Sequence, residues 1–305
     1  MFDRPFPEIQ PIPFHGRVLF HTGPHKTGTT TIQAFLARNR GRLLDQGVLY
    51  PEAGRLRGQR LLNLHHPLVV SLAEADPITF QHHAEAMARE IGRTYPDTVL
   101  ISTEALAREV LPETVYPALI RLFAHAKRDW LLYLRRQDDL LVSLYQERVK
   151  RCLSSWPERI EACDRPELLD HMFRIEQLRA RVGADTILVR SFEKARHRLI
   201  DAFLEDAGIA PDLRFEQVAS SNASLPRATV QALRYANAAP GPLRDAARWV
   251  TWRGFGMLRR SGVRLRRGST LLDSAARERI LARYRESNRQ IDALYFDEDG
   301  SGLPV

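Results

Sequence analysis

Cysteine is almost missing from this chain: Cys152 and Cys163 are the two in 305 residues. No CxxC occurs and no Cys/His cluster has zinc spacing, which excludes a disulfide framework and a structural zinc as the source of stability. A reducing, cytoplasmic setting fits, with both thiols expected to be ordinary packing residues. No apolar run approaches the ~20 residues that a membrane span requires, so no transmembrane segment is expected. The opening MFDRPFPEIQPIPFHG carries acids and prolines and no apolar core, unlike a secretory signal. With 17 Gly and 18 Pro the chain is neither collagen-like nor low-complexity, and 44% apolar content excludes a disordered one. What remains is a globular protein long enough to bury its own core.

Lysine is also scarce. Of 45 basic residues four are lysines (Lys26, Lys127, Lys150 and Lys194), which leaves 41 arginines against 37 acidic residues and a net charge of +8. An arginine-favouring bacterial genome accounts for most of this bias. A taste for phosphates or other polyanions is the functional alternative, since the guanidinium fork matches phosphate oxygens. Nothing in the sequence calls for nucleic acid.

Along the chain, Arg17–Thr22, Thr98–Thr103, Asp129–Leu134 and Thr186–Arg190 read as short, nearly continuous apolar strands. Helical spacing follows each of them, for example Ile32, Phe35 and Leu36 after the first. Strands alternating with helices predict an α/β fold of three layers, a central, mainly parallel sheet flanked by helices. Residues 224–240 and 274–295 read as helices, whereas 241–270, with eight arginines and one aspartate, read as irregular. We expect a single domain over 1–305, comprising an α/β nucleotide-binding core at 16–235 and a helical, basic C-terminal portion at 236–305.

The strongest chemistry lies in Thr22-Gly-Pro-His-Lys-Thr-Gly-Thr-Thr-Thr31, between the first strand and its helix. Exposed N–H groups and the helix dipole favour an anion there. Gly23 and Gly28 let the backbone curl without a Cβ in the way. Thr27, Thr29, Thr30 and Thr31 offer hydroxyls, and Lys26 a single ammonium. Gly23 and Gly28 have the separation of a Walker A loop, but Thr29 stands where its lysine belongs. No strand ends in the aspartate that would hold Mg²⁺, so no metal is expected.

The run Pro24-His-Lys-Thr-Gly-Thr-Thr30, continuing into Thr31, resembles the 5′-phosphosulfate loop of sulfotransferases that use 3′-phosphoadenosine 5′-phosphosulfate (PAPS). The same family carries an arginine at the end of a later strand and a serine eight residues on, both gripping the 3′-phosphate. Arg135 and Ser143 are similar in placement and spacing. Gln137 stands where many relatives have proline, and Arg136 is a competing ligand. Weaker similarities cover Ile187–Glu193, Phe203–Ile209, Asn222–Pro226, the final helix with Asn288, and Arg266-Arg-Gly268.

The resemblance implies a P-loop-like fold and sulfuryl transfer from PAPS, the co-substrate, to a hydroxyl acceptor, most naturally a glycan or glycolipid. It implies that His25, Lys26, Thr27, Gly28, Thr29, Thr30, Arg135 and Ser143 bind the nucleotide, with Lys26 also stabilising the departing phosphate. The family uses a carboxylate or a histidine as base. Glu104, just past the second strand, and His66 or His65, in a helical segment that could cover the cleft, are the alternatives. Two other functions stay open on the sequence: a P-loop kinase or nucleotide hydrolase, and a non-catalytic polyanion-binding protein.

Overall fold

The computed structural model describes residues 9–23, 26–55, 64–107, 111–155, 157–218, 225–260, 271–296, 300 and 302–304. In chain order the elements are β1 (Arg17–His21), α1 (Thr29–Arg38), α2 (Arg40–Leu44), β2 (Val48–Leu49), α3 (His66–Ala73), α4 (Pro77–Thr94) and β3 (Thr98–Ser102). After a 3₁₀ turn at Glu104–Ala107 come α5 (Val115–Leu122), β4 (Lys127–Leu134) and α6 (Gln137–Lys150). A second 3₁₀ turn, Ile160–Cys163, precedes α7 (Pro166–Leu169), α8 (His171–Val182), β5 (Thr186–Ser191), α9 (Phe192–Ala195) and α10 (Leu199–Ala207). The chain closes with α11 (Arg227–Ala238), α12 (Gly241–Arg260), α13 (Ser274–Arg283) and α14 (Arg285–Tyr295).

The strands form one parallel sheet in the order β2-β3-β1-β4-β5, as the continuous apolar strands predict. Alternation along β1 splits the core into two layers. Leu19, with Leu100, Leu131 and Tyr133 of the neighbouring strands, packs under Ile32, Phe35 and Leu36 of α1 and Phe203 of α10. On the other face Phe20 stacks on Trp130 at 4.2 Å between ring centroids and meets Phe123 edge-on, just past the end of α5. These are the three layers of the α/β class.

The chain divides into two compact units. The first comprises residues 1–134 and 175–221 and holds the sheet; the second comprises 135–174 and 222–305. In the second, α6 contributes Leu140, Leu141, Tyr145 and Val149 to a core shared with Val230 and Leu233 of α11 and Ile280 of α13.

Three expectations need correction. Residues 241–260 are helix α12, not irregular chain. Their glycines and proline mask good helix formers, and Pro242 occupies the first turn, where a missing N–H costs nothing. The rest of that basic segment, 261–270 with Arg266-Arg-Gly268, lies outside the described residues, as do His25 and Asn222-Ala-Ser224. Residues 274–295 form two helices rather than one. Of the cysteines only Cys163 is buried; Cys152 is exposed, in a left-handed turn at φ 60°.

Candidate active site

β1 is the central strand, and its neighbours β3 and β4 flank it in parallel, so the turn after His21 opens at the carboxyl edge of the sheet. That is where open α/β sheets bind ligands. The turn is tightly made. A Cβ on Gly23 would sit 2.7 Å from Thr29 Cγ2, 3.1 Å from Thr27 Oγ1 and 3.3 Å from His21 Nε2. Gly28 lies in the left-handed region at φ 79°, and a Cβ there would fall 2.3 Å from Leu199 Cδ2. Lys26 is itself left-handed at φ 76°, a conformation that a non-glycine residue adopts only when its surroundings enforce it.

Gly28 caps α1 without a side-chain bond, and the first turn of α1 contains no acid. The helical ladder begins with Thr31 N–H donating to Gly28 O at 2.9 Å, so the N–H groups of Thr29 and Thr30 precede it. The cradle therefore fits an anionic oxygen cluster by its backbone chemistry. Thr27 is buried; Lys26 and Thr30 are half-buried.

Glu104 is brought to this turn. In register His21 pairs with Ser102, and Glu104 lies two residues beyond, where the Thr29 hydroxyl donates to its carboxylate. Two sequence-derived candidates 75 residues apart thus touch. A hydroxyl has one proton, so with Glu104 as its acceptor Thr29 faces an anion through its backbone N–H rather than its Oγ1.

Beneath the turn sits a polar group that the sequence reading missed. His21 Nδ1 lies 2.9 Å from Ser102 Oγ, which also accepts from Gln33 Nε2 at 3.2 Å. Burial pushes the His21 pKa down to about 4, against the opposing pull of the Glu104 carboxylate, so the ring is neutral at pH 7. The signal was present: His21 and Ser102 are the polar last residues of otherwise apolar strands, at the same register position.

The two histidine candidates separate. His65 is fully buried. Ser102 N–H donates to its Nδ1 at 3.1 Å, so Nε2 carries the proton and donates to Pro51 O at 3.0 Å. Burial, helped by the charge of Arg55, holds its pKa down to about 3. Both ring nitrogens are in use, and His65 is a structural clamp on β3. His66 opens α3 and is half-buried.

Arg135 and Ser143 belong to the second unit. The Arg135 carbonyl accepts from His171 Nε2 at 2.6 Å, which fixes the backbone at the start of the unit. Arg136 is engaged by its own helix: its Nε and a terminal nitrogen reach the two Asp138 oxygens at 3.0 and 2.7 Å. Burial alone would raise the Asp138 pKa, but Arg136 and Arg277 outweigh it and hold the carboxyl below its usual range. Gln137 donates to Asn288 Oδ1 at 2.7 Å. Ser143 is half-buried on α6.

The fold and the turn together define an α/β protein with a tight, glycine-flanked turn at the carboxyl edge of its central strand. Among solved structures the chain is similar to a sulfotransferase from Alicyclobacillus acidocaldarius, with 13% identity, a TM-score of 0.44, and 92% of this chain covering 96% of that one. It is also similar to the sulfotransferase domain of the curacin biosynthetic pathway, with 10% identity, a TM-score of 0.40, and coverage of 88% and 97%. A third is the sulfotransferase domain of the Synechococcus PCC 7002 olefin synthase, with 15% identity, a TM-score of 0.40, and coverage of 82% and 97%. No family model and no curated protein matches the sequence. Likenesses this distant decide nothing about chemistry, which rests on the residues of the turn.

Proposed function

We propose that the protein is a PAPS-dependent sulfotransferase acting on a hydroxyl of a carbohydrate or glycolipid. The observation that carries this reading is the Thr29–Glu104 bond, which joins an anion cradle to a carboxylate at one sheet edge. PAPS, when bound, supplies a sulfuryl group on a phosphosulfate anhydride. The backbone of residues 27–30 would hold its 5′-phosphate, and Arg135 with Ser143 its 3′-phosphate.

The chain's own residues then have separable tasks. Glu104 takes the proton from the acceptor hydroxyl as the oxygen attacks sulfur, and Thr29 orients that carboxylate. Lys26 neutralises the charge gathering on the phosphate oxygen as the S–O bond to it breaks. The sum is a sulfate ester, adenosine 3′,5′-bisphosphate and one proton, the last held by Glu104 until water removes it. A cytoplasmic location matches the supply of a nucleotide donor.

The test is transfer of ³⁵S from PAPS across a panel of glycans, glycolipids and phenols. Labelled glycan or glycolipid is expected, with Lys26→Ala slower by ~10²–10³-fold, as for loss of a preorganised donor. Absence of transfer to every acceptor, or full activity in Lys26→Ala, refutes the proposal.

A further inference from the structure

Helix α12 buries one face and leaves the other bare. Trp252 and Phe255 pack against the core of the second unit. Arg248 also turns inward, donating to Lys150 O at 2.6 Å and Val149 O at 3.3 Å. On the opposite side Leu243, Val250 and Met257 are 66%, 62% and 63% exposed, and Trp249 is 59% exposed. At 3.6 residues per turn, Leu243, Val250 and Met257 fall within about 40° of one another, with Ala246 beside them. Trp249, Arg253 and Arg260 border this stripe on one side, and the Arg253 guanidinium lies over the Trp249 ring at 4.7 Å.

We propose that this face of α12 is a docking surface for an anionic lipid bilayer, with the helix lying in the plane of the interface. An apolar stripe edged by tryptophan and arginine is the composition of a helix that rests at the headgroup boundary. The charge commits the occupant. Over 241–260 five arginines stand against Asp245, a net of +4. A second copy laid on this face would set Arg253 and Arg260 against like charge, whereas anionic headgroups complement them. No helix among the described residues is long and apolar enough to cross a membrane, consistent with a surface contact. The inference stands on α12 alone and does not depend on the sulfuryl-transfer reading.

The experiment is co-sedimentation of the full chain with vesicles, with tryptophan fluorescence as a second readout. Binding is expected to phosphatidylcholine vesicles containing about one third phosphatidylserine, with a blue shift from Trp249, and to fall steeply with salt. Arg253→Glu and Arg260→Glu should each weaken binding at least ~5-fold, the equivalent of about 1 kcal/mol per basic residue. The triple change Leu243→Ser, Val250→Ser, Met257→Ser should abolish it with no loss of thermal stability, because all three side chains are exposed. Equal binding to pure phosphatidylcholine, or binding to neither, overturns the proposal. So does a dimer in sedimentation equilibrium that the triple change dissolves, which would show a second copy as the occupant.

Discussion

Glu104→Gln separates the two tasks that the carboxylate performs. Glutamine keeps an oxygen for the Thr29 hydroxyl to donate to and removes only the basicity and the charge. A hydrogen bond to a charged partner contributes about 1.5–3 kcal/mol and a neutral one about 0.5–1.5, so Glu104→Gln should cost about 1 kcal/mol of stability. Thr29→Val deletes a hydrogen bond to a charged partner, for a loss of about 1.5–3 kcal/mol. The order reverses in turnover. Without a base Glu104→Gln should lose ~10²–10⁴-fold in kcat, while Thr29→Val, which retains the carboxylate, loses much less. Urea melts of both single variants and the double give the coupling energy, and ³⁵S transfer at saturating donor and acceptor gives kcat. Because the pair is in contact, the stability effects should be non-additive. Wild-type turnover by Glu104→Gln would refute the base assignment and leave Glu104 as a brace for the turn.

The other predictions rest on separate contacts. Gly23→Ala places a methyl 2.7 Å from Thr29 Cγ2 inside the turn, so it should weaken binding of 3′,5′-ADP at least ~10-fold by titration calorimetry while the sheet stays folded. Arg135→Ala should weaken 3′,5′-ADP by ~10–150-fold and barely change 5′-AMP, which has no 3′-phosphate, the loss of a charged hydrogen bond being about 1.5–3 kcal/mol. Arg136→Ala should do the opposite, sparing the nucleotide and costing about 1–2 kcal/mol of stability, since Asp138 keeps Arg277 and Arg136 is partly exposed. His21, His65 and His171 are held neutral with pKa values near 4, 3 and 4, so the unfolded chain binds more protons below pH 6.5. Stability is then full above about pH 6.5 and falls by roughly 1.4 kcal/mol per pH unit per histidine on acidification, until the folded values are reached. Urea midpoints measured from pH 7 to pH 5 test this, and His65→Gln should flatten the slope by one proton.

The legible parts of this protein were those that short-range chemistry decides. A Gly-flanked, threonine-rich turn between an apolar strand and an amphipathic helix is written in consecutive residues, so the turn itself could be read directly. The parallel sheet followed from strands apolar on both faces. β2, two residues long at Val48–Leu49, is shorter than any period and left no signal. α12 was hidden because Gly254, Gly256 and Pro242 suggest a loop, whereas the packing of Trp252 and Phe255 decides for helix. The surroundings of Glu104 and His65 needed tertiary contacts. Only the fold reveals that Ser102 N–H occupies one His65 nitrogen and that Thr29 reaches Glu104. Arg135 was singled out in sequence by its spacing from Ser143, whereas the pairing of Arg136 with the Asp138 carboxylate is visible only in the fold.

On the proposed function, the turn at residues 23–31 grips a bisphosphorylated adenosine without a divalent ion. Titration of the wild-type chain with 3′,5′-ADP in the presence of a chelator tests it most directly. Saturable binding of the bisphosphate is expected under those conditions. Heat exchange with ADP only when Mg²⁺ is supplied, and none with the bisphosphate, would contradict it.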